Sequence, residues 1–410
     1  MHRQRKPPPA GEFSADIIDL DHEGRGFARI DGKATFIHGA LPGERVRFKY
    51  LRTAKDFDEG QCLIVDTPSP HRVAPGCAHF GLCGGCSMQH LAPEQQIVFK
   101  QKQLLDQLER GAKLVPEAVA APLTGPVWGY RRRARLGVND VPKKGGVLVG
   151  FRERESSRLA QLQACEVLDP RVGHKLRALA GMIDTLSLNR QIPQIEVACS
   201  GVSGEPVALV LRVLAPPTEA DSEKLAAFAK AENFELYLQT GGPGSIRPFG
   251  AVTPLQYSPD GSALSLRFEP TDFIQINSEI SSKTVNQAID WLALSAGERV
   301  LELFCGLGNF SLPLARRGAQ VLAVEGEQGL VDRACANAER NQLDIRFEKA
   351  DLFTAKGNEG WLQAGFDKLL LDPPRAGAKE ILPIVAKRKP SRIVYVSCHP
   401  GTLARDAATL

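Results

Sequence analysis

Two short apolar runs late in the chain each close on a reactive residue type. Lys368 to Leu371 leads into Asp372 in D-K-L-L-L-D-P-P-R, and Ile393 to Val396 leads into Cys398 in R-I-V-Y-V-S-C-H-P-G-T-L-A-R-D. Short apolar runs bounded by turn residues read as buried strands, the composition of a parallel sheet covered on both faces. Ligands of such sheets sit outside the carboxyl ends of the strands. A carboxylate and a thiol at neighbouring strand ends therefore face one crevice. The same alternation continues upstream. Arg299 to Phe304 reads as a strand, Cys305-Gly306-Leu307-Gly308-Asn309 as a turn, and a helix follows from about Phe310. A strand ending at Glu325, a helix to about Asn341 and a strand to Asp351 complete the pattern. This is an α/β, doubly wound, Rossmann-like order.

Length and composition bound the remainder. A chain of 410 residues predicts two to three domains, and 43% hydrophobic with 24% charged residues is the balance of a soluble globular protein. No apolar run approaches the roughly 20 residues that span a bilayer, and the start M-H-R-Q-R-K-P-P-P has no apolar signal region. No membrane partner and a cytoplasmic location are expected. In that compartment nine cysteines point to metal or catalytic groups rather than disulfides. A net charge of +4 permits a nucleic-acid partner without requiring one.

Three segments are expected. Residues 12–68 carry five short strand-like runs punctuated by glycines, the pattern of a small OB-like β-barrel. Arg45, Arg47, Lys49, Arg52 and Lys55, interleaved with Phe48, Tyr50 and Phe57, suit phosphate contact and base stacking. Residues 69–270 mix strand and helix signals and hold the basic run Tyr130-Arg131-Arg132-Arg133-Ala134-Arg135. On a strand, alternation sends Arg131, Arg133 and Arg135 to one face, where they can meet a phosphate backbone, and Arg132 to the other. Residues 271–410 form the Rossmann-like segment.

Within that segment, Gly306 and Gly308 allow a tight turn and close approach to a ligand. Glu325 follows Gly306 by nineteen residues, at a strand end where a carboxylate can take two ribose hydroxyls. Asn309 stands where a dinucleotide fingerprint would continue toward its third glycine, which favours a cofactor without a pyrophosphate, such as S-adenosylmethionine. Asp351, at the third strand end, is placed to hold the adenine.

The cysteines divide. Cys398 precedes Pro400-Gly401 and a helix start, a setting that stabilises a thiolate. Cys62, Cys199, Cys305 and Cys335 read as small hydrophobes. Cys77, Cys83 and Cys86 form C-x5-C-x2-C in a glycine-rich loop, with Cys165 as the candidate fourth ligand. Thiolates so arranged suit zinc or an iron–sulfur cluster, and spacing alone does not separate the two. It is not the C-x3-C-x2-C of radical enzymes.

Taken together, Phe273-Ile274-Gln275-Ile276-Asn277, E-L-F-C-G-L-G-N, D-P-P-R-A-G and V-S-C resemble the RNA uracil-C5 methyltransferases, and the resemblance covers nearly the whole chain. G-x-G-x-A-R-I-x-G in the first segment is similar to the TRAM domain, and with the cysteine loop it narrows the resemblance to the branch acting on 23S rRNA. The resemblance implies S-adenosyl-L-methionine as cofactor, 23S ribosomal RNA as partner and a monomer. It implies that Gln275, Phe304, Asn309, Glu325, Asp351 and Asp372 contact the cofactor or the target uracil, beside Gly306 and Gly308. It implies a [4Fe–4S] cluster on Cys77, Cys83, Cys86 and Cys165. It makes Cys398 the nucleophile that adds to C6 and raises electron density at C5. Asp372 suits uracil, whose ring N–H needs an acceptor, where amino-methylating enzymes carry Asn-Pro-Pro. Family members continue into further strands and a glutamate that removes the C5 proton. A domain truncated at Leu410 is therefore expected, with no residue here assigned as that base. Two alternatives stand beside this reading: an RNA-binding or ribosome-assembly factor with an inactive methyltransferase fold, and a tRNA uracil-C5 methyltransferase.

Overall fold

The computed structural model of the chain describes residues 7–201 and 204–410. The first six residues of the basic start lie outside the described residues. The chain separates into two compact units, one of residues 1–104 with 151–162 and one of 105–150 with 163–410.

The first unit is built on a six-stranded sheet in the order Phe13–Asp16, Arg45–Thr53, Phe57–Thr67, Lys33–His38, Gly26–Ile30, Asp19–Leu20. Six strands replace the five expected, because A-D-I-I-D-L divides. Ile17 donates its N–H to Glu44 O at 2.8 Å and Ile18 to Phe27 O at 2.8 Å, so the chain changes partner between them. Ile17, Ile37, Val46 and Phe48 fill the interior. Gly60 is required here, since a Cβ would stand 2.5 Å from Phe48 Cδ2. Phe48 is fully buried, so it cannot stack a base. Tyr50 packs on it with ring centroids 5.0 Å apart.

The cysteine loop belongs to this unit. Gly84 N–H donates to Arg152 O and Arg154 N–H to Leu82 O, each at 2.9 Å, which ties the loop to residues 151–154.

The second unit holds two large sheets. One is mixed and six-stranded, in the order Ile246–Phe249, Phe234–Gln239, Val207–Arg212, Gln194–Cys199, Arg133–Val141, Gly146–Gly150. The other is fully parallel and five-stranded: Arg346–Lys349, Gln320–Glu325, Arg299–Leu303, Lys368–Leu371, Arg392–Tyr395. Helices cover both faces of the parallel sheet. Val285, Ile289 and Leu292 of helix Ser278–Leu292 pack with Val300, Leu370 and Val394 on one side. Trp361, Ile381 and Val385 pack with Leu301, Leu369 and Leu371 on the other. Each of these leucines contributes about 1.5–3 kcal/mol through burial. In chain order the parallel strands lie 3-2-1-4-5, so the order reverses between the strands ending at Leu303 and Leu371. That reversal opens a crevice at their carboxyl ends.

Among the described residues, no helix is long and apolar enough to cross a membrane.

Candidate functional site

The crevice is a cavity of about 490 Å³. Gln275, Phe304, Gly306, Asn309, Glu325, Asp351, Asp372 and Cys398 all line it. Gly308 does not; it stands behind the turn with φ +91°, where a Cβ would meet Leu312 Cδ1 at 2.6 Å. Its role is to let the turn pack on the following helix.

The backbone sets the walls. Phe304 leaves its strand with φ +64°, a left-handed conformation unusual for a side-chain-bearing residue, and its N–H donates to Val324 O at 2.9 Å. Its ring meets Phe353 with centroids 5.8 Å apart. Gly306, at φ +56°, donates its N–H to Glu325 Oε2 at 3.1 Å, and Gly326 N–H donates to Oε1 at 2.7 Å. These bonds turn the Glu325 carboxylate toward the glycine turn. Asp351 Oδ1 accepts from Phe353 N–H at 2.9 Å. Asn309 Oδ1 accepts the Tyr257 hydroxyl at 3.2 Å.

Asp372 and Cys398 both line the cavity. Asp372 is surrounded by protein without a counter-charge, and this desolvation pushes its carboxyl up to about 6. Cys398 is exposed. It precedes the helix Pro400–Ala407, whose cap is His399 Nδ1 accepting from Thr402 N–H at 3.2 Å. Burial pushes the other candidate small-hydrophobe thiols upward: Cys62, Cys335, Cys199 to about 12, and Cys305 well above its ordinary value.

Four residues were not singled out from sequence. Phe273 is 70% exposed at the cavity mouth, inside the F-I-Q-I-N run that already marked Gln275. Arg375 lines the cavity from within the D-P-P-R-A-G run, and Tyr257 lines it with no motif around it. Glu302 is fully buried in the strand before the turn, and desolvation pushes its carboxyl up to about 8. In the sequence it opens the E-L-F-C-G-L-G-N run as a lone acid inside an apolar strand.

The basic run is divided by its partners. Arg133 donates to Thr271 O at 2.6 Å and approaches Glu196 Oε2 at 3.5 Å. Arg135 reaches Glu196 Oε1 at 3.0 Å, with its side chain 67% exposed. Arg131 precedes the strand and donates to Arg133 O at 3.1 Å. A face of three available guanidiniums is therefore not formed, because Arg133 is committed to the protein.

Cys77, Cys83 and Cys86 are half-buried in their loop, and no disulfide joins the nine cysteines. Gly85 N–H donates to Cys83 Sγ at 3.4 Å, and the Cys83 thiol is pushed up by burial, with the Cys86 and Cys77 thiols adding to the shift. Three thiols close enough to affect one another suit a thiophilic metal in donor chemistry. Among the described residues, however, no three Cys, His, Asp or Glu side chains converge on one point. Cys165 belongs to the second unit, where its N–H donates to Gly173 O at 2.9 Å.

Residues 12–63 match the TRAM domain family, and residues 257–410 match the tRNA (Uracil-5-)-methyltransferase family. The 23S rRNA (uracil(1939)-C(5))-methyltransferase RlmD of Alkalilimnicola ehrlichii is 50% identical over 415 residues, covering 100% of this chain and 92% of the relative. The enzyme of the same name from Nitrosococcus oceani is likewise 50% identical, with the same coverage. That from Stenotrophomonas maltophilia is 46% identical over 100% of this chain and 93% of its own length. Among solved structures, the Pyrococcus abyssi tRNA (uracil-54, C5)-methyltransferase in complex with S-adenosyl-L-homocysteine shares the fold. Its TM-score is 0.74 at 23% identity, covering 97% of this chain and 92% of that one. With identities of 45–50% along its whole length, the chain belongs to the RlmD family of 23S rRNA uracil-C5 methyltransferases.

Proposed function

We propose that the protein methylates C5 of a uridine in 23S rRNA, the uracil numbered 1939 in its relatives' names, with S-adenosyl-L-methionine as methyl donor. The observation that carries this reading is Asp372 and Cys398 opening onto one cavity with the Gly306 turn. The cofactor supplies an electrophilic methyl group. Glu325 takes its ribose hydroxyls, Asp351 its adenine edge, and Phe304, Asn309 and Gln275 complete the cradle. Asp372 accepts the uracil ring N–H.

Uracil C5 is too weak a nucleophile unaided. The Cys398 thiolate adds to C6, and the displaced electron pair passes to C5 and the neighbouring carbonyl oxygen as an enolate. C5 would then take the methyl group as the donor's S–C bond breaks, the electron pair of that bond staying on sulfur in the departing S-adenosyl-L-homocysteine. Loss of the C5 proton to a base returns the electron pair, and the thiolate leaves C6. No residue here is assigned as that base.

Cys77, Cys83, Cys86 and Cys165 are the proposed ligands of a [4Fe–4S] cluster, supported by the loop's thiol chemistry; its role is structural or RNA-orienting. Residues 12–68 contribute an RNA-binding barrel, 69–270 the central segment and 271–410 the catalytic one. The protein acts as a cytoplasmic monomer. The test is methyl transfer from labelled S-adenosylmethionine to a 23S rRNA fragment, with mass-spectrometric mapping. One 5-methyluridine at position 1939 is expected. A methyl group on adenine or cytosine, or none, would overturn the reading.

A further inference from the structure

Asp372 and Cys398 follow neighbouring parallel strands, in a register that pairs Leu371 with Tyr395. Val396 N–H donates to Leu371 O at 2.8 Å, so the two segments are tied together just before the reactive residues. A second tie joins them just after. Helix Pro400–Ala407, which begins beyond Cys398, carries Arg405 and Asp406 in its last turn, and both reach the loop that follows Asp372. Arg405 Nη2 donates to Ala376 O at 2.8 Å, and Ala378 N–H donates to Asp406 Oδ2 at 2.7 Å. The Tyr395 hydroxyl, from the end of the strand before Cys398, donates to the same oxygen at 2.6 Å. Arg405 Nε donates to Asp406 Oδ1 at 2.8 Å.

Asp406 is wholly buried. Burial by itself raises a carboxyl, but the bonds from Tyr395, Ala378 and Arg405 outweigh it and hold this one below its ordinary range. It is therefore an ionised acceptor, and its bonds are of the stronger, charge-assisted kind. Gly377 lies inside the loop at φ +80°, where a Cβ would overlap both Arg405 Nη2 and Asp406 Oδ2. The glycine of D-P-P-R-A-G is thus the residue that lets the loop seat on the R-D pair of T-L-A-R-D. Asp372 and Cys398 consequently lie in two segments closed at both ends, by the strand ladder before them and by this clasp after them.

We propose that Asp406 and Arg405 are positioning residues for methyl transfer: their clasp holds the Asp372 loop and the Cys398 helix at the separation that lets both grip one uracil. The inference rests on the uracil-methyltransferase reading of the cavity. The ring N–H that Asp372 accepts and the C6 that Cys398 attacks lie at opposite corners of one flat, rigid ring. The base cannot adjust to a change in spacing, so the bond at one corner fixes where C6 stands before the thiolate. A misplacement of about 1 Å in such an arrangement costs about 100-fold in rate. The contacts proposed for the cofactor through Phe304, Glu325 and Asp351 come from the ends of the other three strands, so they do not depend on the clasp.

The experiment is a double-mutant cycle on the rate of covalent trapping. The RNA is a hairpin of the 23S rRNA sequence with 5-fluorouridine at the target, and S-adenosylmethionine is saturating. Asp406→Asn keeps the volume but turns one oxygen into a donor. It should slow the adduct about 100-fold while cofactor affinity stays within about twofold. Asp372→Asn should slow the adduct at least about 100-fold on its own, but less than about tenfold in the Asp406→Asn background, because a carboxylate already out of place has little left to lose. An unchanged rate in Asp406→Asn, equal factors in both backgrounds, or cofactor affinity lost in step with the rate would overturn the proposal and leave Asp406 a fold-stabilising group. Arg405→Gln carries the same cycle where Asp406→Asn does not fold, since the Arg405 side chain is 42% exposed. It should slow the adduct about tenfold, and an additive cycle there would equally overturn the proposal. Wild-type protein that forms no adduct removes the covalent methyltransferase reading and the clasp together, whereas trapping with an additive cycle removes the clasp alone.

Discussion

Glu302 Oε2 lies 2.5 Å from Ser311 Oγ beneath the glycine turn, both groups fully buried. Burial pushes the Glu302 carboxyl up to about 8, with the Asp372 and Glu325 carboxylates adding to the effect. The folded protein therefore keeps this proton from about pH 4.5 to about pH 8, while the unfolded chain loses it near 4.5. Stability is fullest below that range and falls as pH rises through it, by on the order of a few kcal/mol. Glu302→Gln, which has no proton to lose, should flatten this slope and melt several degrees higher than the wild type at pH 8.5. Calorimetry at pH 5 and pH 8.5 makes the comparison, and parallel slopes would mean that Glu302 is ionised in the folded protein.

Asp372 gives a second pH signature. An ionised carboxylate accepts a ring N–H more strongly than a protonated one, and this carboxyl is raised by burial to about 6. The expected kcat/KM therefore falls as pH drops through about 6, rather than near 4 as for an ordinary aspartate. Asp372→Asn should lower methyl transfer at least about 100-fold and remove that acidic limb. A limb unchanged in the variant would assign it to another group.

The parallel sheet was legible because its central strands are buried on both faces, so Leu369, Leu370 and Leu371 run together without a polar break. The cavity residues were legible for a related reason: Asp372, Glu325 and Cys398 follow such runs. Glu302 was not, since a charge inside an apolar run does not say whether it is neutralised by a proton, an ion pair or solvent. Alternation along Arg45–Thr53 does separate inward Val46 and Phe48 from exposed Arg45 and Lys49, and overlooking that period made Phe48 a stacking residue. Arg132 illustrates a different limit. Its buried setting comes from Tyr257 and Gln275, more than a hundred positions away, which no local pattern encodes.

The basic run should respond unequally to mutation. Arg135→Ala removes a largely exposed guanidinium and should weaken RNA binding modestly, with a shallower salt slope. Arg133→Ala leaves Thr271 O without its donor and weakens the ties of Glu196, so it should destabilise the fold by about 1–3 kcal/mol. Denaturant titration beside salt-dependent binding tests the division. Equal losses of RNA affinity at full stability would restore the reading in which both contact phosphate.

The cysteine loop makes a prediction about composition. Anaerobically purified protein should be brown and carry about four irons and four sulfides per chain. Cys83→Ser and Cys165→Ser should each lose the colour. Stoichiometric zinc without iron would remove the cluster and leave a metal site of another kind.

The covalent step can be caught directly. If Cys398 adds to C6, an RNA with 5-fluorouridine at the target should be methylated at C5 and then remain bonded to the protein. Elimination would require fluorine to depart as a cation where hydrogen departs as a proton. The adduct should survive a denaturing gel, need S-adenosylmethionine and carry one methyl group by mass. Cys398→Ala should abolish it; Asp372→Ala should reduce it, because the base is no longer held by its N–H. Cys305 is a control of the same chemistry in another setting. It lines the same cavity, but burial holds its thiol protonated, so Cys305→Ala should leave trapping dependent on Cys398. An adduct that persists in Cys398→Ala, or normal 5-methyluridine formation by that variant, would rule out this nucleophile.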